Sequence, residues 1–340
     1  MEKKTVSKIL RIPLKIFQFT IALIILSSCG GGGNSTDIQL QDIIDNEDLS
    51  PIASTPSCSD YPSAQNTQIC SFTKDDLTRE FYIYIPDNYS EYISPVSVLL
   101  SLHGGDDFAT SNMYYSGFNE HADSDNFLII YPQGAFYGDK GSTGWNHEYG
   151  GVNDVGFIED IIDWLGNNYN VQLNEVYAAG FSNGAFMTYH LACNLSNKIA
   201  AIAPVAGLMG NHTYSTCNSV HPMPMIHIHG EQDNIISILG GDYFKSLEDS
   251  EESDGVITYW KENNQCQSFS EEPIYNKTQI EGTLHLWTAC SNDTEINYLI
   301  IQNQGHEWPE DGDKGSGVID TSETIWNFLK RFDMNGLKTN

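Results

Sequence analysis

Residues 176–184, Val-Tyr-Ala-Ala-Gly-Phe-Ser-Asn-Gly, constrain the fold of this chain more than any other stretch. The segment begins with an apolar run that predicts a strand. The residues behind it that fall at helical spacing are Phe186, Met187, His190 and Leu191. A strand that turns directly into a helix through Gly-x-Ser-x-Gly is the context of a nucleophile elbow. We therefore predict that Ser182 is an exposed nucleophile, which requires a histidine base and an orienting carboxylate elsewhere in the chain.

The first 28 residues have the pattern of a secretory signal. Five basic residues lie among the first 15, and residues 16–26 are apolar but too few to span a bilayer. The signal ends in Leu-Ser-Ser-Cys, which resembles the bacterial lipobox, so we predict lipidation of Cys29. The glycine-rich and acidic residues 29–57 are interpreted as a flexible tether. We expect an exported bacterial lipoprotein, anchored at the cell surface or the periplasmic face, or a secreted protein.

The chain is acidic, and this excludes some partners. Cleavage after residue 28 would remove five basic residues and one acidic residue, which changes the formal charge from −29 to −33. A surface of this sign repels nucleic-acid phosphates and anionic lipid headgroups. We therefore expect no nucleic-acid partner and membrane contact through the lipid anchor alone. We also expect a monomer.

Seven cysteines are present, and six remain once Cys29 is assigned to the lipid. An even number in an exported protein indicates disulfides, although six cysteines leave many pairings open. We favour the pairs that are neighbours in sequence: Cys58 with Cys70, Cys193 with Cys217, and Cys266 with Cys290. Zinc is disfavoured because no Cys-x-x-Cys pair occurs.

Apolar runs and helical patterns alternate along the rest of the chain. The predicted strands cover residues 80–86, 96–102, 127–131, 176–179, 199–205, 223–229 and 297–301. Two predicted helices lie near residues 113–121 and 255–263, and a third directly follows Ser182. Two more begin at predicted N-terminal caps, one at Asp154 and one at the capping pair Asp320 and Glu323. Such alternation implies right-handed crossovers and a mostly parallel sheet with helices on both faces. We predict one α/β-hydrolase domain over residues 58–340.

In that fold the acid and the base follow the nucleophile on loops after later strands. Two such loops carry Asp233 and His306. We predict that His306 is the base for Ser182, and that Asp233 accepts a hydrogen bond from its ring and stabilises the cation that forms. Glu231 and Asp242 remain alternative carboxylates.

Other histidines are interpreted as structural. His227 and His229 share one strand face at a spacing that suits a metal, but no third ligand lies nearby. His103, in His-Gly-Gly, is expected to shape a loop whose amide near Gly105 joins that of Asn183 to hold a tetrahedral oxyanion.

We expect two tryptophans, Trp145 and Trp308, to line the cleft and contact the substrate. Residues 311–315 are similar to a calcium loop, but their glycine is misplaced and no distal glutamate follows. No metal and no cofactor are therefore predicted.

Several stretches in consistent order resemble one family. These are residues 153–158, the Gly-Phe-Ser-Asn-Gly elbow, residues 191–207, the His-Ile-His-Gly strand end and the Gly-His-Glu-Trp-Pro loop. Together they resemble the secreted polyhydroxybutyrate depolymerase and feruloyl esterase family over residues 80–332. The resemblance implies a metal-free α/β-hydrolase acting on carboxylic esters. It also implies the triad Ser182, Asp233 and His306, and it supports the second and third disulfide pairs.

The chain departs from that family at Ala185, where a glycine is common, and in residues 145–149, where a cysteine-bearing loop is common. Because that loop borders the cleft in the family, the substrate stays open. We expect hydrolysis of hydroxyalkanoate polyesters or their oligomers, with feruloyl or acetyl esters of plant polysaccharide as the alternative. A peptidase on the same fold and a catalytically inactive surface-binding protein are less favoured.

Overall fold

Within the described residues, an 11-stranded sheet forms the centre of the fold. The computed structural model describes residues 55–91, 93–137, 141–148, 150–249, 255–276, 279–309 and 319–339. The signal, Cys29, the tether up to residue 54 and the loop 311–315 lie outside these described residues, so the expectations for them stay predictions. Within the described ranges, no helix combines the length and the apolar character that crossing a membrane requires.

The described strands are β1 Ser57–Asp60, β2 Thr67–Lys74, β3 Leu77–Tyr84, β4 Val96–Leu102, β5 Leu128–Pro132, β6 Ala135–Tyr137, β7 Ser142–Gly144, β8 Val171–Phe181, β9 Ala201–Val205, β10 Met225–Gly230, β11 Ser268–Asn276, β12 Gln279–Thr288, β13 Ile296–Ile301, β14 Phe332–Asp333 and β15 Gly336–Leu337. The described helices are α1 Ala109–Ser116, α2 Phe118–Asp125, α3 Asp154–Asn168, α4 Asn183–Asn194, α5 Asn211–Thr216, α6 Val256–Asn263 and α7 Thr321–Leu329. All seven predicted strands are present, and the helix expected near residues 113–121 is two short helices instead, α1 and α2.

The centre of the main sheet is parallel. Across the described residues its order is β1-β2-β3-β5-β4-β8-β9-β10-β13-β12-β11, and every pairing from β5 to β13 is parallel. Strands β5, β9 and β10 are buried along their whole length, as strands covered on both faces must be. The predicted α/β-hydrolase sheet is therefore confirmed for this central part.

Antiparallel strands extend the sheet at both ends. Strands β1, β2 and β3 pair antiparallel on one side, and the hairpin of β11 and β12 pairs antiparallel with β13 on the other. We did not predict β1, β2, β11 or β12. These strands are half exposed and rich in polar residues, so they lack the apolar runs that mark the central strands.

The three disulfides join the favoured pairs, Cys58 with Cys70, Cys193 with Cys217, and Cys266 with Cys290. The first pair bridges opposed residues of β1 and β2. The third joins Cys266, two residues before β11, to Cys290, two residues after β12. Two of the three crosslinks thus secure the antiparallel ends of the sheet.

The prediction that Asp154 caps helix α3 is wrong. Asn153 is the N-cap, and its side chain accepts a hydrogen bond from the Gly156 amide at 2.9 Å. Asp154 is instead buried as the first helical residue, where it pairs with Arg79 at 2.6 Å. A buried carboxylate must be paired with a cation, so Asp154 is held by Arg79 and does not cap the helix. Asparagine is as favourable an N-cap as aspartate, so Asn153 takes that position. At helix α7 the predicted cap is present, because Asp320 accepts from the Glu323 amide at 2.8 Å.

Candidate active site

The predicted elbow lies at the carboxyl end of β8. Ser182 stands between β8 and α4 with φ 53° and ψ −116°, a left-handed backbone that a non-glycine residue rarely adopts. Its amide donates to the Val205 carbonyl at 2.9 Å, which ties the corner to β9. Ser182 is half-buried at this corner, and its positive φ is the strained geometry of a nucleophile elbow.

Two glycines let the strand and the helix approach each other. A Cβ at Gly180 would lie 2.3 Å from the Gly184 carbonyl oxygen, and a Cβ at Gly184 would lie 2.3 Å from the Leu102 carbonyl oxygen. Both distances are far inside van der Waals contact. The Gly-x-Ser-x-Gly pattern is therefore a steric requirement of this corner.

We expect Gly184→Ala to lower the free energy of unfolding by about 3 kcal/mol or more, because the new methyl group would push α4 away from the backbone of β4. Urea unfolding monitored by circular dichroism measures the loss. Gly305→Ala is the control, since a Cβ there meets no heavy atom within 4 Å. A Gly184→Ala protein as stable as this control would contradict the close packing of the elbow.

The structure brings Ser182, His306 and Asp233 together. The Ser182 Oγ lies 2.9 Å from Nε2 of His306, and Nδ1 of His306 lies 2.7 Å from Oδ2 of Asp233. Asp233 follows β10 and His306 follows β13, so neighbouring parallel strands deliver both loops to one edge of the sheet. The alternative carboxylates Glu231 and Asp242 are both exposed.

Four donors surround the carboxylate of Asp233. The amides of Ile235 and Ile236 donate to Oδ1 at 2.9 and 2.8 Å, and His306 reaches Oδ2. Nε2 of His229 also lies 3.2 Å from Oδ2. Burial by itself raises the pKa of Asp233, but the hydrogen bonds of His229 and His306 outweigh burial, and the pKa lies well below its usual value.

The ionised Asp233 fixes the proton on His306. A carboxylate only accepts hydrogen bonds, so Nδ1 of His306 carries the hydrogen. In the neutral ring Nε2 is then free to accept the hydroxyl proton of Ser182. This is the arrangement that a serine needs in order to act as a nucleophile.

The loop after β4 faces the elbow. A Cβ on Gly104 would lie 3.6 Å from Cβ of Ser182, and a Cβ on Gly105 would lie 3.5 Å from Cβ of Asn183. His103 is fully buried beneath this loop and accepts from the Gly134 amide at 2.8 Å through Nε2. The structure thus places Gly105 beside Asn183, the two residues whose amides we expect to hold an oxyanion.

The two predicted tryptophans are more deeply buried than a substrate contact suggests. Trp145 is 3% exposed, and its indole N–H donates to the His103 carbonyl at 2.9 Å. Its backbone amide donates to Oδ1 of Asn183 at 2.6 Å, so Trp145 links the two sides of the expected oxyanion site. Trp308 is 9% exposed and packs against Tyr115 and Phe181, with ring centroids 5.9 and 6.4 Å away.

An open cavity of 340 Å³ borders Asn183. Its lining residues are Gly105, Asp106, Thr143, Gly144, Trp145, Asn146, His147, Glu148 and Asn183. Most of these carry hydrogen-bonding side chains. Within the described residues, no group of three or more His, Cys, Asp or Glu side chains is placed to hold a metal ion.

The half-buried His147, which lines this cavity, and the buried His190 on α4 couple the stability of the fold to pH. Burial lowers the pKa of both His147 and His190 to about 4, whereas histidine in an unfolded chain titrates near about 6.5. Between these values the unfolded state binds protons that the folded state does not. The free energy of unfolding is therefore expected to be undiminished above about pH 6.5 and to fall as the pH drops towards about 4.

His190 contributes on the order of 3 kcal/mol to this fall. Urea unfolding at about pH 7, 5.5 and 4 measures it. We expect His190→Gln to show a shallower pH dependence than the natural protein, since glutamine does not titrate. Parallel curves for the two proteins would contradict the assignment.

The chain is similar in sequence to known esterases. A family model described as phospholipase/carboxylesterase matches residues 147–255. A bifunctional acetylxylan esterase/xylanase of Neocallimastix patriciarum is 27% identical over 261 residues, which are 76% of this chain and 34% of that protein. Feruloyl esterase D of Neurospora crassa is 22% identical over 297 residues, 84% of this chain and 93% of that protein. The chain thus spans about a third of the first relative and most of the second.

A solved structure supports the same fold. The acetyl xylan esterase from Aspergillus awamori superposes with a TM-score of 0.52 at 17% identity, covering 69% of this chain and 92% of that one. A likeness at this identity shows the fold alone.

Proposed function

Because this chain has the α/β-hydrolase fold and is related to acetylxylan and feruloyl esterases, we propose that it is a serine carboxylic-ester hydrolase. The observation that carries the proposal is the line of hydrogen bonds from Ser182 through His306 to Asp233, at 2.9 and 2.7 Å. Each atom in that line has the donor or acceptor character that acyl transfer to serine requires.

The reaction begins with attack of the Ser182 Oγ on the ester carbonyl carbon while Nε2 of His306 takes the hydroxyl proton. The negative oxygen of the tetrahedral intermediate is held by the amides of Asn183 and Gly105. Collapse of the intermediate breaks the ester bond, and His306 returns its proton to the departing alcohol. Water then attacks the acyl-enzyme by the same route and releases the acid.

The cavity beside Asn183 favours an ester of a sugar over a hydroxyalkanoate polyester. The cavity is lined by the polar side chains of Asp106, Thr143, Asn146 and Glu148, so any part of a substrate that binds there contacts polar groups. Sugar hydroxyls form hydrogen bonds with such groups, whereas the methyl and methylene groups of a polyester would only desolvate them. The two relatives, an acetylxylan esterase/xylanase and a feruloyl esterase, also support esters of plant polysaccharide over hydroxyalkanoate polyesters.

Among polysaccharide esters we favour the acetyl group. A feruloyl ring needs a wide apolar surface to pack on, and both predicted tryptophans are at least nine-tenths buried. An acetyl group needs only enough room beside Ser182 for one methyl group. Acetylated xylan is therefore the substrate class we propose first.

The test is a side-by-side assay of acetylated xylan, methyl ferulate and 3-hydroxybutyrate oligomers, together with labelling by a fluorophosphonate probe. We expect the highest kcat/KM on acetylated xylan, and labelling that is lost in Ser182→Ala. Preference for hydroxybutyrate oligomers would restore the polyester hypothesis. A folded natural protein that resists the probe would favour a surface-binding protein without catalytic activity.

Export supports the same proposal. The three disulfides suit an oxidising compartment, where a polysaccharide-ester substrate would be met. Membrane anchoring through a lipid on Cys29 is also a proposal, because Cys29 lies outside the described residues.

A further inference from the structure

A buried row of side chains continues from Asp233 away from Ser182. Nδ1 of His229 lies 3.0 Å from Nε2 of His227, whose own Nδ1 lies 2.8 Å from the Tyr189 Oη. Both histidines come from β10 and Tyr189 comes from α4. All three side chains are between 0% and 1% exposed, so the row has no solvent to satisfy its polar atoms.

With both histidine rings neutral, the partners of this row set the direction of its hydrogen bonds. Nε2 of His229 lies 2.8 Å from the Ile236 carbonyl and 3.2 Å from Oδ2 of Asp233, and both of these oxygens only accept. Nε2 of His229 therefore carries a hydrogen, and Nδ1 of the neutral ring accepts. His227 must then donate through Nε2 and accept through Nδ1, and the Tyr189 hydroxyl must donate to it. All the donors of the row thus point towards Asp233.

Burial also acts on the titration of His227 and of the tyrosines around it. Desolvation, followed by the neighbouring His229, lowers the pKa of His227 well below its ordinary value. Burial raises the pKa of Tyr189 well above its ordinary value. Besides Asp233, Tyr298 of β13 also packs against the row, and its ring centroid is 5.3 Å from that of His227. Burial likewise raises the pKa of Tyr298 well above its ordinary value.

We propose that His229, held in its donor orientation by His227 and Tyr189, is a positioning residue that keeps the Asp233 carboxylate aligned on His306. The inference rests on the proposed function in so far as Asp233 serves catalysis there. The N–H of His229 is shared between the carboxylate and the Ile236 carbonyl, and the Ile236 amide in turn holds Oδ1 of Asp233 at 2.8 Å. One ring therefore secures both the carboxyl group and the loop that carries it.

Four variants separate positioning from general stability. His229→Phe removes the donor at similar size, and His229→Gln retains an N–H donor on a side chain of similar reach. Tyr189→Phe removes only the hydroxyl at the far end of the row. Tyr177→Phe is the matched control, because its buried hydroxyl donates to the Phe332 carbonyl at 2.7 Å and is not part of the row.

We expect His229→Phe to lower kcat by about ten- to hundredfold, the effect of losing a hydrogen bond to a charged group. KM should stay within about twofold, since His229 lies behind Asp233 and away from the substrate. His229→Gln should recover most of the rate. Tyr189→Phe should lower kcat less than His229→Phe does, and Tyr177→Phe should not change it.

A second readout does not depend on activity. Carbon-13 NMR of the Asp233 carboxyl group follows its titration, and the midpoint should rise in His229→Phe and, to a smaller extent, in Tyr189→Phe. An unchanged midpoint in His229→Phe would overturn the proposal even if kcat fell. If His229→Phe does not fold, Tyr189→Phe decides, and a midpoint equal to that of Tyr177→Phe would overturn it.

The same readout distinguishes this inference from the proposed function. A natural protein that hydrolyses no ester, but whose variants shift the Asp233 midpoint as expected, would refute the esterase and support the positioning of Asp233. Normal ester hydrolysis with no shift of the Asp233 midpoint in any variant would support the esterase and refute the positioning of Asp233 by His229.

Discussion

Ser182→Ala is expected to lower kcat on an activated acetyl ester by about six orders of magnitude, the loss seen when a triad serine is removed. The Ser182 Oγ is the atom that lies 2.9 Å from Nε2 of His306. Without it the base has no hydroxyl to activate, and no acyl-enzyme forms. Only binding and the oxyanion amides would remain, and these sustain a residual rate about 10³ to 10⁴ above that in water.

The measurement is single-turnover kinetics with p-nitrophenyl acetate at high enzyme concentration. Ser215→Ala is the control, because Ser215 is an exposed serine on α5 that is not part of the site. A Ser182→Ala protein that retains more than about one part in a hundred of the natural rate would show that another residue is the nucleophile.

Asp233→Asn is expected to lower kcat by about four orders of magnitude and to leave the fold intact. The amides of Ile235 and Ile236 both donate to Oδ1, so an asparagine would keep its oxygen on that side. Its NH₂ group would then face Nδ1 of His306. A ring that accepts at Nδ1 carries its proton on Nε2, where it cannot take the proton of Ser182.

The control variants for this experiment are Glu231→Gln and Asp242→Asn, which neutralise the two exposed alternative carboxylates. We expect both to keep near-normal turnover. Circular dichroism of Asp233→Asn should match that of the natural protein, so that the loss of rate reflects the tautomer of His306. Near-normal turnover in Asp233→Asn together with a large loss in either control would reassign the catalytic carboxylate.

Much of the fold was readable from the chain because its central strands are buried on both faces. Such strands need continuous apolar residues, and β4 and β9 show these directly in the sequence. The antiparallel strands β11 and β12 were missed for the converse reason. Each is partly exposed, so its side chains carry no strong periodic signal.

The active site, too, was predictable from the sequence only in part. Chain order pointed to Ser182, Asp233 and His306, since each follows a strand of the predicted sheet. The row behind Asp233 was missed, because His229 looked like a structural strand residue. The only signal for it in the sequence was its position four residues before the acid, at the end of a buried strand.

The sequence by itself determined the elbow, the parallel centre of the sheet and the order of the acid and base loops. Each of these follows from local sterics or from burial, which leave their mark on neighbouring residues. The tertiary structure alone decided that Asp233 faces His306 while Glu231 is exposed, and that Trp145 links the two sides of the site instead of standing open to it. Such contacts join residues far apart in the chain, and only the packed fold brings their atoms within hydrogen-bonding distance.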